Sequence, residues 1–147
     1  MNKVVIDCVV FSYCDGNLEV LLVKEDRSCG APKWGLISKS FQKDLDSQYL
    51  AMELLNTFNI YDPIFFKQLK AFENRDSIIP NNIFHIVYYA IIDRDKYRIN
   101  FTLNLPIQRW IKIKDVPELI QDHNAILDLS LAHLSVFLHQ APMFNNL

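Results

Sequence analysis

Several chemistries are excluded by what this sequence lacks. Its three cysteines, Cys8, Cys14 and Cys29, are an odd number, with no CxxC pair and no His/Cys spacing of a zinc site. They give no disulfide framework and no structural metal centre, and read as reduced thiols. Long apolar runs are missing too. No stretch approaches the ~20 residues that span a bilayer, and Asp7 interrupts the first apolar run, "MNKVVIDCVVF", which no small-residue cleavage site follows. That run reads as a strand instead of a signal, and the chain as a cytoplasmic protein without a membrane partner. Charge of one sign is scarce as well: the formal net charge is −2, the pI is near 6.0, and the Lys and Arg residues are scattered. This leaves no polyanion-binding footprint, so the chain alone is not expected to hold nucleic acid.

What is present is the composition of an ordinary globular domain, with 147 residues of which 50% are hydrophobic and 22% charged. No repeat, low-complexity tract or linker precedes about residue 140. "VVIDCVVFSY" and "LEVLLVK", joined by the turn residues of "CDGN", predict a hairpin from Val4 to Lys24. "KWGLIS" is a short strand candidate, and Asp44 or Asp46 can cap a following helix in which Leu50, Leu54, Leu55 and Phe58 recur at helical spacing. Asn59 ends it. "IFFKQLKAF", "IFHIVYYAII" and "RWIKIKDV" are further strands, and "PELI" a single helical turn. A last amphipathic helix runs from Asp122 to about His139 on the rhythm of Ile126, Leu127, Leu131, Leu134 and Leu138. The fold class is α+β, a mixed sheet carrying two main helices on its faces.

One stretch, "WGLISKSFQKDLDSQYLAMELLNTFNI", carries a recognisable pattern. With the order of elements around it, it resembles the Nudix family, whose motif runs Gly, five residues, Glu, seven residues, then Arg-Glu-aliphatic-x-Glu-Glu-x-Gly-aliphatic. The resemblance implies a Nudix-like α/β/α sandwich. Laid on "MELLNTFNI", it puts Met52 at the Arg, Glu53 at the first Glu, Asn56 and Thr57 at the Glu pair, and Asn59 at the Gly. "LISKS" stands where the family has "LPGGF", in a loop one residue shorter.

These replacements bear on chemistry, because residues 53, 56 and 57 are i, i+3 and i+4 on one helix and share a face. Three carboxylates there clamp Mg²⁺, a hard cation that takes oxygen ligands. Here one carboxylate, an amide and a hydroxyl are offered. Disturbing even the partners of metal ligands costs about 10–100-fold in affinity or activity, so the loss of two charges argues against metal-dependent hydrolysis. Ser38, Lys39 and Ser40 also carry side chains into the space where glycines admit a phosphate. The alternative is a Nudix hydrolase acting on a nucleoside-diphosphate derivative, its metal held by carboxylates elsewhere, such as Asp44, Asp46 or Asp76.

Within that family the chain is similar to Nudix-related transcriptional regulators of NAD metabolism and arabinose utilisation, on "QLKAFENRD", "HIVYYAII", "RWIKIKDVPELIQDHNAIL" and "APMFNNL". The resemblance implies an effector domain over residues 1–140 that binds a sugar or ADP-ribose-like small molecule, forms a homodimer and needs no cofactor or metal. Residues 141–147 would begin the connection to a winged helix that contacts DNA in a full-length regulator. Ligand contacts are expected from Lys24, Trp34, Lys39, Glu53, Arg75, Asp76 and His85. Each has a plainer role beside it: Lys24 as a solvated cation, Trp34 as a core-edge ring, Glu53 as a helix-face carboxylate paired with a lysine, Arg75 and Asp76 as a loop ion pair, and His85 as a satisfied core histidine. His123 is expected at a helix start capped by Asp122. A third possibility is a dimerisation module with no ligand.

Overall fold

Asp15 and Gly16 both have positive φ, 52° and 79°, as a two-residue type I′ turn requires, and Gly takes such a φ without strain. They join β1 (Lys3–Cys14) to β2 (Asn17–Glu25) in the expected hairpin. The computed structural model describes residues 3–25, 33–41, 46–73, 83–96 and 107–140. The two hairpin strands pair only near the turn, from Phe11↔Val20 to Cys14↔Asn17. Beyond that point they part, and the segment 33–41 fills the fork. Its first half, β3 (Lys33–Gly35), pairs with β2, and its second, β4 (Ile37–Phe41), pairs with β1. The single short strand expected at "KWGLIS" is therefore two, which change partner at Leu36.

On its other edge β1 runs parallel to β6 (Ile83–Ile91), which is flanked by the antiparallel β5 (Phe65–Glu73) with an irregularity between Gln68 and Lys70. β7 (Ile107–Lys112) lines the remaining edge of β2. The seven strands of the described residues make one mixed sheet.

Both faces of this sheet are covered, which explains why its strands read as continuous apolar runs. Ile6, Cys8 and Val10 of β1, with Leu21, Val23, Tyr88 and Ala90, pack against Leu50, Ala51, Leu54 and Leu55 of α1 (Ser47–Thr57). Val9 and Phe11, with Val20, Leu22, Val87, Tyr89 and Ile91, pack against Ile126, Leu127 and Leu134 of α2 (His123–Gln140). This is the Nudix-like α/β/α sandwich. Burial of the Cys8 thiol raises its pKa, and the adjacent Asp7 charge adds to the rise.

α1 begins at Asp46, whose carboxylate accepts from Gln48 N at 3.0 Å. It ends in a Schellman arrangement: Asn59 N–H donates to Asn56 O, Ile60 N–H donates to Leu55 O, and Asn59 takes φ 63°. Asparagine tolerates that left-handed position, which is why it can stand where the family motif has glycine. The helical turn expected at "PELI" is absent. A 3₁₀ turn at Ile113–Asp115 precedes it, and the Asn124 side chain takes Leu119 N–H at 2.7 Å and donates to Pro117 O at 3.1 Å. That side chain meets the backbone's needs without a helix. No helix of the described residues is long and apolar enough to cross a membrane.

Candidate functional site

The segment 33–41 carries side chains to both faces of the sheet, because successive strand residues point opposite ways. Lys39, opposite Ile6, faces α1; Ser38, opposite Asp7, faces α2. Two environments result, and the expected site residues divide between them.

On the α1 side, Lys39, Phe41, Glu53, Leu54, Asn56 and Thr57 line a cavity of about 410 Å³. Lys39 Nζ lies 5.6 Å from the centre of the Phe41 ring. The residues at the two replaced motif positions turn back onto the helix. Thr57 Oγ1 donates to Glu53 O at 2.9 Å. The Asn56 amide, oriented so that its nitrogen faces acceptors, donates to Ile60 O at 2.9 Å and Met52 O at 3.3 Å. Thr57 thus serves a carbonyl of its own helix, and the Asn56 amide serves Met52 within the helix and Ile60 just past its end, helping to close the Schellman turn. Glu53 stays exposed, and its hydrogen bond to the Tyr49 hydroxyl, reinforced by its charge, holds that hydroxyl above the ordinary tyrosine range. One carboxylate, one amide oxygen and one hydroxyl do not make the donor set that Mg²⁺ takes from a Nudix helix. Among the described residues no three His, Cys, Asp or Glu side chains converge in a way that fits a metal ion.

The α2 side is polar at its centre. Asp7 is fully buried; Ser38 Oγ donates to its Oδ1 at 2.6 Å, and His85 Nδ1 lies 2.9 Å from its Oδ2. His123 is buried as well, and its Nδ1 accepts Leu36 N–H at 2.9 Å. A backbone N–H can only donate, so the ring proton sits on Nε2, which points at Asp7 Oδ1 from 3.6 Å. Beside it, Ile120 N–H donates to Trp34 O at 3.0 Å. Gly35 leaves the room this needs: a Cβ there would lie 2.8 Å from Ile120 Cγ1 and 3.1 Å from His123 Nδ1. The network holds the fork segment to the start of α2. His85 is thus engaged beneath the surface, and His123 has a structural role wider than a helix start. Sequence reasoning passed over Asp7 as a mere interruption. The signal was available, since a carboxylate in mid-strand among buried positions demands partners.

Lys24 and Trp34, both expected as ligand contacts, do meet. Lys24 Nζ lies 5.8 Å from the Trp34 ring centre, and Arg109, which sequence reasoning did not select, brings its guanidinium to 5.5 Å of the same ring. Trp34 is half-buried against the α2-side core. Arg75 and Asp76 lie outside the described residues, as do Asp44 and 141–147. Asp46 is committed to capping α1.

No family model and no curated protein matches this sequence. Solved structures do match its fold. The Nudix domain of NrtR from Shewanella oneidensis, solved with ADP-ribose, is 21% identical with a TM-score of 0.74, over 91% of this chain and 89% of that one. NrtR from the same organism complexed with a 27mer DNA is 21% identical with a TM-score of 0.77; the match covers 92% of this chain and 63% of that longer one. A MutT/nudix family protein from Enterococcus faecalis is 14% identical with a TM-score of 0.76, over 98% of this chain and 67% of that one. Regulator and MutT-type proteins thus share one architecture with this chain, and its fold is that of a Nudix domain.

Proposed function

We propose that this chain is a ligand-sensing Nudix-like domain of a transcriptional regulator and not a pyrophosphohydrolase. The observation that carries the reading is the commitment of Asn56 and Thr57 to backbone carbonyls of the helix and of the turn that ends it, with Glu53 left as the single carboxylate of that face. The cavity beside them has a volume in the range of small-molecule sites. Its Lys39 cation suits a phosphate, and the Asn56 and Thr57 side-chain oxygens, left as acceptors, suit sugar hydroxyls better than they suit a bound Mg²⁺. The ligand class is a sugar or an ADP-ribose-like molecule, and the NrtR domain solved with ADP-ribose supports this class. In this reading the domain forms a homodimer, and residues 141–147 begin the connection to a DNA-binding winged helix.

Thermal-shift measurements with pentoses, hexoses, their phosphates and ADP-ribose test it. A ligand at 100 times its Kd stabilises the fold by about 2.7 kcal/mol, a melting shift of several degrees at this size. No shift with any of them, in folded dimeric protein, removes the sensor and leaves a dimerisation module. Phosphate or nucleotide release is expected to be absent with Mg²⁺ or Mn²⁺. Turnover of about 1–10³ s⁻¹, abolished in Glu53→Gln, overturns the non-catalytic reading.

A further inference from the structure

On the α2 face, Trp34 of β3, Lys24 of β2, and Ile107 and Arg109 of β7 come from three adjacent strands. Trp34 is paired directly with Lys24, Lys24 with Ile107, and Arg109 with Leu22 on the same face. Ile107 is 56% exposed, and Arg109 is exposed. The indole is held by the core behind it while two cations lean on its ring. Among the described residues neither Lys24 nor Arg109 meets a carboxylate; the carboxylate contacts with basic side chains there are those of Asp7 with His85 and His123, and Glu19 with Arg94. Gathering two like charges on one ring is unfavourable in isolation, and a cation over an exposed indole returns only about 0.5–1 kcal/mol. A shared anion would reverse that balance.

Three strands side by side span on the order of 10 Å, a spread that suits an extended segment. Beyond them, β7 is paired along one edge only, with β2, among the described strands. Tryptophan and arginine beside an exposed aliphatic side chain is also the composition of an interface centre. We propose that Lys24, Trp34, Ile107 and Arg109 form a docking face for an extended acidic peptide segment of a partner protein, one that presents carboxylates to the two cations and an aliphatic side chain to Ile107. This face stands apart from the cavity at α1, so its fate does not depend on the sensor reading.

The test titrates the full chain with a synthetic peptide in which glutamates alternate with valines, followed by calorimetry and by tryptophan fluorescence. A peptide alternating lysine and valine is the control. The acidic peptide is expected to bind with a Kd on the order of 10 μM, to weaken as salt is raised, and to lose about tenfold or more in Arg109→Gln, through the loss of one charge-assisted contact. Lys24→Met gives the same loss through the second cation. Equal binding of the two peptides, or unchanged binding in both variants, overturns the proposal. So does displacement of the peptide by AMP, which would make this a small-molecule site.

Discussion

The two sides of the sheet treat polar residues in opposite ways. At α1 the three polar residues of the motif positions are exposed or half-buried, and two of them are tied to the backbone of the helix and its end. Around α2 a carboxylate and two histidines are buried together with a half-buried serine, and their bonds join β1, β4, β6 and the start of α2. A surface site can exchange a carboxylate for an amide at little cost to folding. A buried carboxylate cannot be lost without stranding its partners. The α1 side is therefore where function can change, and the α2 side is where the fold is held.

The sharpest way to break that contrast is Asp7→Ala. It takes the carboxylate away from the buried His85 and the half-buried Ser38, and about 3–5 kcal/mol of stability should go, the usual cost of breaking a buried ionic contact. Urea denaturation measures this, and a loss under about 1 kcal/mol would mean that the network does not hold the fold. Next, Gly35→Ala drives a methyl against Ile120 and His123 and should cost about 1–3 kcal/mol by overpacking; an unchanged midpoint would show that this junction yields freely. The smallest effect is expected for Glu53→Gln, an exposed change within about 0.5 kcal/mol. A larger loss by the same assay would make Glu53 a structural residue and blur the division between the faces.

Much of this was legible in the sequence. Asp-Gly between two β-branched runs specifies its turn through backbone sterics, and the helical spacing of Leu50, Leu54 and Leu55 needs only local periodicity to be seen. α2 accordingly falls within a residue of its expected bounds, and α1 starts from Asp46, one of its two expected caps. "PELI" misled because its backbone is satisfied by Asn124, a partner that local propensity does not register. The site was less legible for the same reason. That Lys39 and Glu53 line one cavity follows from the motif, but the meeting of Trp34 with Arg109, and of Leu36 with His123 across 87 residues, depends on strand pairing and on helix docking. No local window contains either.

The segment in the fork also constrains how this domain can change over evolution. Its residues alternate between the two faces, so Ser38 must meet Asp7 while Lys39 meets the cavity. A strand has a side-chain period of two, so slipping β4 by one residue swaps its faces throughout. Such a shift would take Ser38 from Asp7 and turn Lys39 into the core. Insertions and deletions that move β4 on β1 are therefore tolerable only in even steps, and the other lengths must be absorbed in the connections on either side. In this part of the chain, the geometry constrains parity more strictly than length.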